Sequence, residues 1–152
     1  MIATSKALIG YGLALATLYT AQIAFDIVIP ASQWFEVQSV KINDTTEGRA
    51  PSMTVVRSIH KPFYGEWTSE VERLNESGSF TLVCQSQGRA NYSPSNDLPP
   101  NLDLNWWTYP VKCQLAPGAY RVETVWRIFP TGITPRKVEY TSNVFNVRSA
   151  TN

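Results

Sequence analysis

From Ala7 to Phe25 the chain runs nineteen residues without a charge (ALIGYGLALATLYTAQIAF), with only Thr17, Thr20 and Gln22 among the more polar types. At ~1.5 Å per residue a helix of that length spans roughly 28 Å, the thickness of a bilayer's hydrocarbon core. Continuing to Ile29 adds about 6 Å and sets Asp26 near the far interface. The run predicts a transmembrane helix over residues 7–29, with residues 1–6 as a short tail. Lys6 and the α-amino group precede the span, so the N-terminus is expected in the cytoplasm and the rest outside it. The localisation that follows is a single-pass membrane protein with a periplasmic or extracellular C-terminal domain.

A cleaved signal peptide is the rival reading. Lys6 would be its basic region and Ala14-Leu15-Ala16 its cleavage site, freeing a secreted or virion-associated β-sandwich protein. That site leaves a short apolar region, and the run continues past it for more than another turn. The signal-anchor is the preferred reading. Within it Ala7, Gly10, Ala14, Thr17, Ala21 and Ala24 recur at steps of three and four. Such a stripe of small residues lets helices approach closely, so a homo-oligomer through the membrane helix is one expected partner arrangement beside the lipid bilayer itself.

After Pro30 the pattern changes to short segments of period two. Net charge is +1, which removes the general basic field of a nucleic-acid binder. Charged residues make up 16%, aromatics 12%, and there are 10 prolines, a composition that folds rather than stays disordered. The two cysteines, Cys84 and Cys113, both lie in this part. An even pair in an exported domain reads as a disulfide, here closing a loop of about thirty residues and contributing roughly 3.5 kcal/mol in the chain-entropy model.

Strands are expected at Glu36–Ile42, Ser52–Ile59, Phe63–Arg73, Phe80–Gln85, Tyr120–Phe129 and Lys137–Val147, the last with a bulge. Turn signals at Asn43-Asp44, Glu47-Gly48, Ser77-Gly78, Pro117-Gly118 and Thr131-Gly132 separate them. Gly65, Trp67, Ser69 and Val71 share one face of the third strand, with Glu66, Glu70 and Glu72 on the other. Tyr120, Val122, Trp126 and Ile128 fall together in the fifth, opposite Arg121, Glu123 and Arg127. One packed and one wet face is the mark of an antiparallel sheet. The fold class predicted is all-β, an antiparallel sandwich over residues 36–148, with 30–35 as a juxtamembrane connector and 149–152 as a tail. Trp34 in the connector reads equally as an interfacial aromatic or as the first core residue.

The sequence Leu115-x-Pro117-Gly118-x-Tyr120-x-Val122 resembles the entry to strand F of immunoglobulin-like domains. The resemblance implies an immunoglobulin-like β-sandwich in which Tyr120 bonds back to the preceding turn. Val122 then stands where the family has its second cysteine, and Trp67 corresponds to the buried tryptophan of strand C. The family's inter-sheet bridge is absent, since neither Val122 nor Met53 or Val55 of the matching strand is Cys. The overall layout is similar to small uncharacterised membrane proteins of bacteria and phages. Neither resemblance transfers a function.

Residues 86–112 break the strand rhythm, with four prolines and the aromatics Tyr92, Trp106, Trp107 and Tyr109. Adjacent tryptophans cannot both face inward on a regular strand, so this loop is the candidate binding loop. Catalytic signatures are wanting. His60 is the sole histidine and has no zinc-ligand spacing around it. No nucleophile elbow, phosphate loop or dinucleotide fingerprint occurs. Glu66, Glu70 and Glu72 suggest a solvated strand face more than a glycosidase pair, and Asp44 with Glu47 suggests turn chemistry. Three N-x-S/T sequons, at Asn43, Asn75 and Asn91, do not exceed what this composition yields by chance. The expectation is a membrane-anchored extracytoplasmic binding or structural module for a protein or envelope polymer. It needs no cofactor or metal, and it is not an enzyme; a hydrolase is the remote alternative.

Overall fold

The computed structural model describes residues 11, 14–21, 29–95, 101–104 and 113–150. It divides into two compact units, Met1–Pro30 and Ala31–Asn152. In the first, residues 14–21 are helical and their side chains exposed. The hydroxyls of Thr17 and Thr20 donate to the carbonyls of Ala14 and Ala16, each at 2.9 Å, so the helix satisfies its own polar side chains. Among the described residues no helix is long and apolar enough to cross a membrane. Most of the expected span 7–29 lies outside those residues, as do Ala7, Gly10 and Ala24 of the small-residue stripe.

The second unit is all-β. Its described strands are β1 (Phe35–Ile42), β2 (Thr45–Thr46), β3 (Ser52–Ile59), β4 (Phe63–Leu74), β5 (Phe80–Tyr92), β6 (Asn101–Asp103), β7 (Gly118–Phe129), β8 (Arg136–Thr141) and β9 (Phe145–Arg148). They form one sheet in the order β1-β3-β6 and a second in the order β2-β9-β7-β4-β5, with β8 also paired to β7. All pairings are antiparallel except β2 with β9.

Period-two alternation drives this arrangement. On β7 the side chains of Tyr120, Val122, Thr124, Trp126 and Ile128 are each at most 1% exposed, while those between them face outward. Met53, Val55 and Ile59 do the same on β3, and Phe35, Val40 and Ile42 on β1. The two sheets meet at Phe35, whose ring lies 5.4 Å from Trp126, 5.6 Å from Phe63 and 6.1 Å from Tyr92. Each such ring contributes about 1.5–3 kcal/mol by leaving water. The polar pair inside is satisfied: the hydroxyls of Ser69 and Thr124, cross-strand neighbours, bond to each other at 3.0 Å. Gly48, Gly78 and Gly132 hold φ near +80°, which fits the turns read at those glycines.

Within the expected connector 30–35, Ala31–Gln33 form a short 3-10 turn, and Trp34 and Phe35 are buried at 7% and 1% exposure, which favours the second of the two readings of Trp34, a core residue. Three expectations change. Strand β5 does not stop at Gln85 but runs to Tyr92, because backbone pairing with β4 continues through the polar stretch. The bulge expected in the last strand is a break between β8 and β9. There Ser142 Nα donates to the Val122 carbonyl at 2.8 Å, and its hydroxyl accepts from the Val122 amide at 2.9 Å. Trp67 is only partly buried; it lies over Gly88, where an added Cβ would come within 2.5 Å of the indole. Among the described residues the most deeply buried tryptophan is its cross-strand partner Trp126, 1% exposed.

Candidate functional site

Cys84 of β5 and Cys113 are joined, with Cα atoms 6.1 Å apart and 29 residues between them in sequence. That separation lies inside the usual range for a bridge. Cys84 sits opposite Val71, a fully buried residue of β4, so the bridge pins the chain at Cys113 beside β5. At the other end Leu104 is 1% exposed, and its amide donates to the Pro51 carbonyl at 3.0 Å. Trp106, Trp107 and Tyr109 lie between these two fixed points and outside the described residues.

Beside the bridge is a cleft of about 470 Å³, within the range of small-molecule sites. Pro51, Leu104 and Leu115 give it a buried apolar floor, and Glu47 and Arg49 stand exposed at its rim. Such a lining can hold an apolar group and orient one charge. Among the described residues its lining brings together no nucleophile and base.

Tyr92, expected in the binding loop, is elsewhere. It ends β5, is 8% exposed, and stacks on Phe63 with ring centroids 4.9 Å apart. Burial pushes its phenol above the usual tyrosine range, and Arg57, 5.5 Å from the ring, opposes that shift through its charge and a hydrogen bond. Tyr92 is therefore a core residue rather than a contact residue. Arg57 was missed; its signal was a basic side chain at a position that alternation with Met53, Val55 and Ile59 assigns to the inner face.

The other candidates separate. His60 lies 3.9 Å from Glu36, both about half exposed. Glu70 accepts from Gln85 at 2.9 Å and Glu72 pairs with Arg121 at 2.7 Å, so two of the three aligned carboxylates are occupied by neighbouring strands. Asp44 accepts the Asn146 backbone amide at 2.8 Å and faces Arg148 at 3.4 Å. That amide, ahead of the Arg148 charge, holds its carboxyl below the usual aspartate value. Asn143, which no pattern in the sequence marked, ties the end of β1 to the β8–β9 break: it accepts from the Ile42 amide at 2.8 Å and donates to the Ile42 carbonyl at 2.9 Å. Among the described residues no three His, Cys, Asp or Glu side chains gather as a metal-ligand set. Compared with protein-family models and with curated proteins, the chain matches none.

Proposed function

We propose that the chain is a membrane-anchored binding module whose disulfide-closed domain is held outside the cytoplasm. The anchor rests on the uncharged run Ala7–Phe25, and the compartment on the Cys84–Cys113 bridge, a bond that persists where thiols are not kept reduced. The domain is read as an immunoglobulin-like sandwich. Supporting this is the sheet order, with β2 running parallel to β9 at the end of the five-stranded path. So does Tyr120, whose phenol donates to the Ala116 carbonyl at 2.7 Å, the contact that marks the corner before strand F in that family.

The bridge is the observation that carries the binding role. It fixes one end of the aromatic segment at Cys113 while Leu104 fixes the other, so those two ends have no freedom left to lose on contact. The partner class is a protein or an envelope polymer, met by Trp106, Trp107 and Tyr109. The test compares Trp106→Ala and Trp107→Ala in the full chain by melting temperature and by capture of partner from solubilised envelopes. One variant should keep its melting temperature and lose capture. If both unfold the domain, the segment is core and the reading of it as a contact site fails.

A further inference from the structure

The β domain has a chemical polarity from one end to the other. The registers Phe35–Ile59, Phe63–Tyr92, Tyr64–Phe129 and Ile128–Arg136 bring the start of β1 level with the ends of β3, β5 and β7 and the starts of β4 and β8. This is the pole at which Ala31 continues from Pro30. It carries Lys61, Arg89, Arg127, Arg136 and Lys137 against three carboxylates, Glu36, Glu66 and Glu139, the last paired with Lys137, among the described residues. All five basic groups lie within three residues of the strand ends, about 10 Å at ~3.3 Å per residue. The opposite end is balanced, with Asp44 paired to Arg148 and Glu72 to Arg121.

Aromatic rings accompany the cations. Lys61 Nζ sits 5.0 Å from the Trp34 ring centroid, and Arg127 lies 5.2 Å from that of Phe129, which packs at 5.6 Å on Tyr64. Tyr64 and Phe129 are both partly exposed. Basic groups mixed with half-buried aromatics match a lipid headgroup zone, where an anionic surface acts over about one Debye length, ~10 Å.

We infer that this pole is a docking surface for anionic lipid headgroups. The inference rests on the anchored reading above, because a membrane segment ending at Pro30 holds the pole beside a bilayer.

The lysines are built-in reporters. Lys61 and Lys137 lie at the pole and Lys41 toward the other end, and all three are exposed. The full chain is reconstituted into phosphatidylcholine vesicles, or into the same vesicles with about 30 mol% phosphatidylglycerol to supply the anionic field. A membrane-impermeant amine reagent is then applied, and the labelling rate of each lysine is read by peptide mapping. With anionic lipid, Lys61 and Lys137 should label at least about threefold more slowly relative to Lys41, and molar salt, with a Debye length of ~3 Å, should abolish the difference. In Lys137→Glu, the protection of Lys61 should fall. Equal ratios in both vesicle types would overturn the inference. Retention on neutral vesicles through an alkaline wash reads the anchor separately. If retention fails there, the anchored reading falls, while the lysine ratios on anionic vesicles still decide the docking surface.

Discussion

The phenol of Tyr120 donates to the carbonyl of Ala116, four residues upstream, at 2.7 Å. Its ring is 1% exposed and packs 5.9 Å from Phe145. One contact therefore closes the turn into β7 and joins β7 to β9. Tyr120→Phe keeps the ring and removes the bond, leaving the carbonyl without its donor. The expected loss is about 1–2 kcal/mol in urea unfolding, with the slope unchanged. A loss near zero would mean the corner is satisfied by water.

Gly88 exists as glycine because Trp67 lies on it. A Cβ there would meet the indole Cζ2 at 2.5 Å, so the partly buried ring must move to admit it. Gly88→Ala should displace the Trp67 ring, shift its fluorescence toward that of a more solvated indole, and cost about 1–3 kcal/mol. Gly88→Ala in a Trp67→Ala background should cost much less. The double-mutant cycle checks that the clash, and not strand propensity, is the cause.

Asp44 makes stability pH-dependent with a known sign. Its folded-state carboxyl is held below the ordinary aspartate value, chiefly by the Asn146 amide. A depressed pKa means the stabilisation is present above the unfolded value and is lost as pH falls through the folded one. Asp44→Asn should flatten the acid limb of the stability curve below pH ~4 and leave the alkaline limb alone. Unfolding curves measured across that window decide it.

Much of the domain was legible because its strands alternate cleanly. Tyr120–Phe129 and Ser52–Ile59 were bounded closely by their apolar faces, and the glycine turns by their chemistry. Residues 86–92 were not, since Gln87, Arg89 and Asn91 carry no apolar period; backbone pairing with β4 alone makes them strand. Tyr92 was assigned to a loop for the same reason. Trp34 was ambiguous because burial there depends on Phe35 opening a core only when both sheets are present. Asn143 acts across 101 residues of sequence, a contact no local pattern can carry.

The small-residue stripe yields its own expectation. If Ala14, Thr17 and Ala21 lie on an association seam, Ala14→Leu should weaken self-association in a membrane reporter and Leu15→Ala should leave it nearly unchanged. Equal effects from the two would reduce the helix to an anchor.

The most direct measurement is the intact mass of the protein recovered from alkaline-washed membranes of producing cells, taken without reduction. The account predicts the whole 17.0 kDa chain, Met1 to Asn152, less the hydrogens lost to the Cys84–Cys113 bridge, in the membrane fraction. A species beginning after Ala16 in the soluble exported fraction, or a full chain with both thiols free, would contradict it.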